Sequence, residues 1–282
     1  MPDGSGAQSA APGSTGQVLL AEDNPINQRV ATAMLRHLGF EVDIVVDGTE
    51  AVHAATQTRY RAILMDCEIP GVDGYHAASE IRRLEDPSQR TPIIAVIASS
   101  ARADQKRCLA AGMDDYLEKP LRLKALAAML ALWTAELVPQ SRKGGLETPN
   151  PVSHHPVPVE EGGDGVPVLD AQVLGRLERL GASTGQDLVG QLAILFLSDT
   201  DARMAELRQA LADNDAEAVA RGAHTLTGSS ANLGATGLSR MCAMLATGRV
   251  AADGVARATA FAEIEAELVR VRAALELLAA VA

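Results

Sequence analysis

The sequence predicts two folds in one chain: an α/β doubly wound, five-stranded parallel sheet over residues 17–137 and an all-α helical bundle over residues 169–282. Three observations carry this expectation. From Gln17 onward, short apolar runs alternate with segments of helical period, the pattern of parallel strands covered by helices on both faces. After Leu137 the composition changes abruptly to a Pro/Gly-rich stretch containing PQSRKGGLETPNPVSHHPVPVEEGGDGVPV. From Leu169 the strand pattern is gone and only helical periodicity remains.

Each element follows in order. QVLLA precedes a helix over 25–38, EVDIVV a helix over 49–58, and AILMD a helix over 75–84. PIIAVIA precedes a helix over 102–111 and DYL a helix over 121–137. In the second half helical segments are expected at 170–180, 184–198, 200–212, 215–232, 236–247 and 255–279, short enough for an antiparallel bundle. Residues 1–16 read as a disordered tail, without the basic region and apolar core of a signal peptide. Residues 138–168 read as a flexible linker, extended where prolines cluster. His154 and His155 within it are too few ligands for a metal site of their own.

Composition excludes several function classes. An apolar share of 47% supplies packed cores, whereas 2% aromatics and 25 basic against 36 acidic residues, a formal charge of −11, argue against a nucleic-acid groove. Cys67, Cys108 and Cys242 are widely separated and form no C-x-x-C pair, so they read as reduced thiols of a cytoplasmic protein. No apolar run approaches the roughly 18–20 residues that cross a bilayer, and no membrane insertion is expected.

The chemistry-bearing residues gather at strand ends. Glu22 and Asp23 follow the first strand and Asp66 ends the third. If those strands are neighbours, as in order 2-1-3-4-5, three carboxylates meet at the carboxyl edge where doubly wound sheets place their sites. Three close carboxylates repel unless a cation compensates them, and hard oxygen ligands suit Mg²⁺. Lys119, just after the fifth strand, can reach the same edge.

The motifs AEDNPINQRV, ILMDCEIPGVDGY, PIIAVIASSA and AGMDDYLEKP resemble the receiver domain of two-component response regulators, especially those of hybrid histidine kinases. The resemblance spans residues 17–137 and implies the flavodoxin-like order 2-1-3-4-5. It makes Asp66 the phosphoacceptor, Glu22 and Asp23 Mg²⁺ ligands together with Asp66 and the Glu68 carbonyl, and Lys119 the phosphoryl contact. It also implies a cis Lys119–Pro120 bond and puts Tyr116 at the aromatic switch position. One position departs: the family's fourth strand ends in Thr or Ser followed by Ala, and here the pair is Ile97–Ala98. Ile97 cannot hydrogen-bond a phosphoryl oxygen, and a slip of two residues would put Ser99 in that role. Phosphorylation with a weakened conformational readout is the expectation.

The stretch AHTLTGSSANLGA, residues 223–235, is helical in period yet carries Thr227, Gly228, Ser229 and Ser230, which together cost on the order of 2 kcal/mol of helix stability. Val219, Ala223, Leu226, Ser230 and Leu233 form its core stripe, and His224 lies about 100° off it. The face around His224, Ala220, Arg221, Thr227, Gly228 and Ala231, is small except for Arg221, so another protein surface can approach closely. AHTLTGSSANLGATGL resembles the phosphohistidine motif of histidine-containing phosphotransfer (HPt) domains, over residues 169–279. The resemblance makes His224 the phosphoacceptor and Gly228 the close-approach glycine. It places Thr227 where the family usually has Lys, which weakens electrostatic support for the phosphorylated state.

The expected function is a phosphorelay: phosphoryl transfer from a sensor or hybrid histidine kinase to Asp66, onward to His224, and to or from a partner receiver. Asp66, His224 and Lys119 would carry the transfer. No segment resembles a kinase ATP-binding domain or a DNA-binding module, so the chain reads as a phosphoryl carrier with slow autodephosphorylation. Other readings compete. A phosphohydrolase forming an aspartyl-phosphate would use Glu68, two residues after the nucleophile, as general acid. A phosphate-independent scaffold would account for Ile97 and Thr227, and a phosphate sink would run the same chemistry in reverse.

Overall fold

The apolar runs form five short strands: β1 (Gln17–Ala21), β2 (Glu41–Val45), β3 (Ala62–Asp66), β4 (Ile93–Ile97) and β5 (Asp115–Glu118). This is a computed structural model that describes residues 16–98, 102–134, 168–248 and 254–279. The strands make one parallel sheet in the order β2-β1-β3-β4-β5. Every residue of β3 and β4 is buried, as central strands covered on both faces must be, whereas the edge strand β2 is half exposed.

Five helices cover this sheet: α1 (Pro25–His37), α2 (Gly48–Gln57), α3 (Gly74–Leu84), α4 (Arg102–Ala110) and α5 (Leu123–Thr134). Side-chain caps fix where the first three begin. Asn24 accepts from the Ile26 and Asn27 amides, Asp47 from Glu50 and Asp73 from His76, each satisfying donors that a helix start leaves unpaired. Leu19, Ile63, Met65, Ile93 and Ala95 build the core beneath α2, α3 and α4. Val18, Leu20, Leu64, Ile94 and Val96 build the other, with α1 and α5.

The second half contains α6 (Ala171–Thr184), α7 (Leu188–Ala212), α8 (Ala216–Asn232), α9 (Thr236–Ala246) and α10 (Gly254–Ala279). The bundle reading holds, with one difference. The segments expected as separate helices at 184–198 and 200–212 run on from Leu188 to Ala212 as one helix, because the polar residues at the supposed break find partners within it. Ser198 donates to the Leu195 carbonyl at 3.0 Å, Thr200 to that of Phe196, and Asp199 pairs with Arg203 at 3.1 Å. The cost carried by Thr227–Ser230 likewise does not interrupt α8. Its core stripe is buried as expected, with Ala223, Ser230 and Leu233 at 0% exposure.

The two halves are in contact, α1 packing against α6, α7 and α8 so that one apolar cluster runs from the sheet into the bundle. The expected tail, most of the expected linker, His154 and His155 lie outside the described residues. No helix among the described residues is long and apolar enough to cross a membrane.

Candidate functional site

Parallel register brings the acids together. Ala21 of β1 pairs with Met65 of β3, so Glu22 comes abreast of Asp66 at the carboxyl edge. Glu22, Asp23 and Asp66 offer oxygens that all lie within 4.8 Å of one another. Glu22 is 4% and Asp66 3% exposed. Lys119 reaches this edge from the end of β5, its amide donating to the Ile97 carbonyl at 2.8 Å and its peptide bond to Pro120 being cis. Its Nζ is 2.6 Å from Asp66 Oδ2 and 3.2 Å from Glu22 Oε2. The other Asp66 oxygen accepts from the Glu68 amide at 3.0 Å.

One ammonium does not balance three clustered carboxylates, two of them buried. Burial first, and then repulsion by Asp66, push the Glu22 carboxyl up to about 7, although Lys119 and a hydrogen bond from Asn27 oppose the rise. Burial and Asp66 raise Asp23 as well, against the pull of Lys119 and of Arg203 from α7. Burial works against the charge on Lys119, but Asp66 and Glu22 outweigh it and hold the ammonium above lysine's ordinary range. A cluster this poor in positive charge has the donor chemistry of a hard divalent cation site.

Across the interface stands His224, its side chain 19% exposed, with Nδ1 3.3 Å from Glu68 Oε2. Asp66 and His224 line one cavity of about 350 Å³, together with Glu68, Tyr75, Ile97, Arg107 and Arg221. Gly228 faces Asn27 closely: a Cβ there would lie 3.2 Å from the side-chain nitrogen of Asn27. Ile97, 4% exposed, presents only hydrocarbon to the cavity, and Ser99 lies outside the described residues. Thr227 turns its hydroxyl back to the Ala223 carbonyl at 2.8 Å. Tyr116 packs half-buried beside the cluster beneath α4, away from His224.

Sequence reasoning missed the residues that join the halves. Asn24 donates to Ser229 Oγ at 2.6 Å while its oxygen caps α1. Asn27 donates to Glu22 Oε1 at 2.9 Å and accepts from Asn232 at 2.8 Å. No signal within either domain points to them, because the contacts depend on how the two halves dock. Each asparagine spends one end of its amide on the receiver-like half and the other on α8.

Comparison with known proteins agrees with this construction. Residues 18–131 match the response regulator receiver domain and residues 191–279 the Hpt domain. The chain is a receiver domain followed by an Hpt domain. Sensor protein GacS of Pseudomonas syringae pv. syringae is 32% identical over 228 residues, covering 80% of this chain and 24% of GacS. The receiver–Hpt chain therefore spans about a quarter of the length of that relative. The receiver domain of sensor histidine kinase PA1611 from Pseudomonas aeruginosa PAO1, solved with magnesium in its active-site cleft, is 48% identical over 43% of this chain and 98% of that one, with a TM-score of 0.40. The co-crystal of the Saccharomyces cerevisiae histidine phosphotransfer protein Ypd1 with the Ssk1 receiver matches at 33% identity, covering 42% of this chain and 88% of that one, with a TM-score of 0.40. A receiver and an Hpt domain in one stretch, matched together in a sensor protein, fit a phosphorelay.

Proposed function

We propose that the receiver–Hpt chain takes a phosphoryl group on Asp66 from the phosphohistidine of a sensor or hybrid kinase and exchanges it with His224, which passes it to or receives it from a partner receiver. The observation that carries this reading is the shared cavity with Asp66 on one wall and His224 on the other. A carboxylate and an imidazole can both form covalent phosphoryl intermediates when held in line with charge compensated. In the first transfer the P–N bond of the donor breaks as a P–O bond to Asp66 forms. Lys119, already 2.6 Å from Asp66 Oδ2, is placed to neutralise charge on the phosphoryl oxygens.

The converging carboxylates and the raised Glu22 fit a divalent cation. Glu22, Asp23 and Asp66, with the Glu68 carbonyl, would hold Mg²⁺, which when bound supplies further positive charge to the transferring group. The hydrolase reading gains no support from Glu68, whose carboxylate lies 3.3 Å from His224 Nδ1.

The test is to incubate the full chain with acetyl phosphate and Mg²⁺ and map the phosphoryl group by mass over time. The expected course is Asp66 first and His224 second. Asp66→Asn should remove both, and His224→Ala should leave the group on Asp66. Equal labelling of His224 in the Asp66→Asn protein would sink the proposal. Undiminished binding of partner domains by the Asp66→Ala, His224→Ala double variant, with no transfer in the parent, would favour a scaffold.

A further inference from the structure

We infer that Glu68 is a positioning residue for His224: its carboxylate orients the imidazole across the domain interface, so the histidine is aligned for transfer only when a receiver supplies that acceptor. The inference rests on the relay reading and names the residue that sets its specificity.

Transfer from Asp66 needs a lone pair on one ring nitrogen aimed at phosphorus. The P–O bond to Asp66 breaks with its electron pair returning to the carboxylate, a P–Nε2 bond forms, and the ring is left positive with its proton on Nδ1. A neutral histidine has two tautomers and a rotatable ring, and only the one protonated on Nδ1 has the lone pair on Nε2. An acceptor at Nδ1 selects that tautomer, fixes the ring and meets the positive charge as it develops.

Among the described residues, the small side chains beside His224 on α8 are not the groups that meet Nδ1. Ala220, Gly228 and Ala231 have no polar side chain. Thr227 and Thr225 turn their hydroxyls to the carbonyls of Ala223 and Arg221, at 2.8 and 3.2 Å. Arg221 is a donor, and Glu217, the Hpt carboxylate that lines the same cavity, is paired with it. The oxygen near Nδ1 comes from the other domain, Glu68 Oε2 at 3.3 Å.

Glu68 also touches the other reacting group. Its amide donates to Asp66 Oδ1 at 3.0 Å, leaving Lys119 on Oδ2. One residue thus hydrogen-bonds the phosphoryl donor through its backbone and places a carboxylate oxygen 3.3 Å from the acceptor's Nδ1. A receiver without an acceptor two positions after its aspartate could still dock on α8, but it would leave the imidazole free to turn.

The magnitude follows from exposure. Glu68 is 55% exposed, so its attraction for the ring alone is weak. The larger part is alignment, and the expected loss lies between the few-fold effect of an exposed ion pair and the roughly 100-fold cost of a 1 Å misplacement, so on the order of 10-fold. The experiment uses the full chain with Glu68→Ala and Glu68→Gln. The rate at which His224 gains phosphoryl is measured per molecule already loaded at Asp66, so any change in loading divides out. The ¹⁵N shifts of the His224 ring are read separately in unphosphorylated protein. Expected are transfer on the order of 10-fold slower in Glu68→Ala with ring shifts averaged between tautomers, and transfer within a few-fold of the parent in Glu68→Gln, which keeps an oxygen acceptor. Unchanged transfer and ring shifts in Glu68→Ala would overturn the inference. Loss of both in Glu68→Gln as well would assign the effect to charge and overturn orientation. A parent that never labels His224 refutes the relay reading instead, and the ring shifts still decide whether Glu68 orients the histidine.

Discussion

The two proposed phosphoacceptors are built in opposite ways. Asp66 sits where three strand ends converge, 3% exposed, held by an ammonium and an amide and crowded by Glu22 and Asp23. His224 stands on one helix among small side chains, and its contact with a carboxylate comes from outside its own domain. The receiver edge concentrates charge in a rigid, buried frame, where electrostatic effects are strong. The Hpt helix offers a nucleophile and clearance. Changes on the receiver side should therefore alter chemistry, and changes on α8 should alter approach.

The largest expected effect tests that division. Lys119→Ala removes the only cation within hydrogen-bonding reach of Asp66 among the described residues, and loss of one such charge-stabilising donor costs on the order of 10²–10³-fold in rate. Uptake of phosphoryl from acetyl phosphate should fall by that order, while His224→Ala should leave the initial uptake unchanged. If His224→Ala slows uptake as much as Lys119→Ala, the chemistry is not confined to the receiver edge.

The next effect is on stability, and its sign follows from Glu22. Its pKa in the folded chain, about 7, is raised above the 4.5 of an ordinary glutamate. The folded state binds this proton more tightly, so the contribution is complete below about 4.5 and is lost as pH rises through about 7. In EDTA the urea midpoint of the receiver transition should fall between pH 5 and pH 8, on the order of 2–3 kcal/mol for a shift of this size. Added Mg²⁺ should flatten the slope, and Glu22→Gln should remove most of it. A slope unchanged in Glu22→Gln would show that another group sets it.

On the Hpt side the sharpest change is Gly228→Gln. It should stabilise α8 by up to roughly 1 kcal/mol, yet it drives a side chain into Asn27, whose amide lies 3.2 Å from where Cβ would stand. Thermal stability and transfer rate should move in opposite directions, with transfer slowed several-fold because Asn27 can yield by rotating. Asn24→Ala weakens the same contact differently, removing the cap of α1, worth about 1 kcal/mol, and the bond to Ser229. Transfer as fast as the parent in Gly228→Gln would mean that the clearance around His224 serves no docking.

These sites differ in how far they could be read from the sequence. The receiver edge was legible because a parallel sheet collects every strand's carboxyl end in one place, so Glu22, Asp23, Asp66 and Lys119 were bound to meet. The stripe through Ala223 and Leu226 was legible because helical period and burial coincide. The run Ser198-Asp199-Thr200 misled, since propensity registers poor helix formers but not the carbonyls and the Arg203 that satisfy them. Asn24, Asn27 and the Glu68–His224 contact were out of reach for a stronger reason. They depend on how two domains dock, and sequence periodicity within either domain contains nothing about it.

The smallest expected effect concerns Ile97, which stands where the resemblance to receivers implies a hydroxyl. At the end of β4, Ile97 lines the cavity with a hydrocarbon side chain, so no hydroxyl follows the phosphoryl group from this position. Tyr116 on β5 lies one strand over, paired in register through Ala95, and in this chain it has no polar link to Asp66 through Ile97. Adding beryllofluoride to the full chain should therefore shift few amide resonances around Tyr116. Ile97→Thr should enlarge those shifts at a cost of roughly 1 kcal/mol or more of stability, because a buried apolar side chain is shortened and a hydroxyl introduced. Uptake of phosphoryl should change only a few-fold, since Lys119 and the carboxylates remain in place. Large shifts around Tyr116 in the parent would mean that the signal leaves the receiver edge by a route that does not need a hydroxyl at position 97, and the contrast between a chemical half and a docking half would have to include that route.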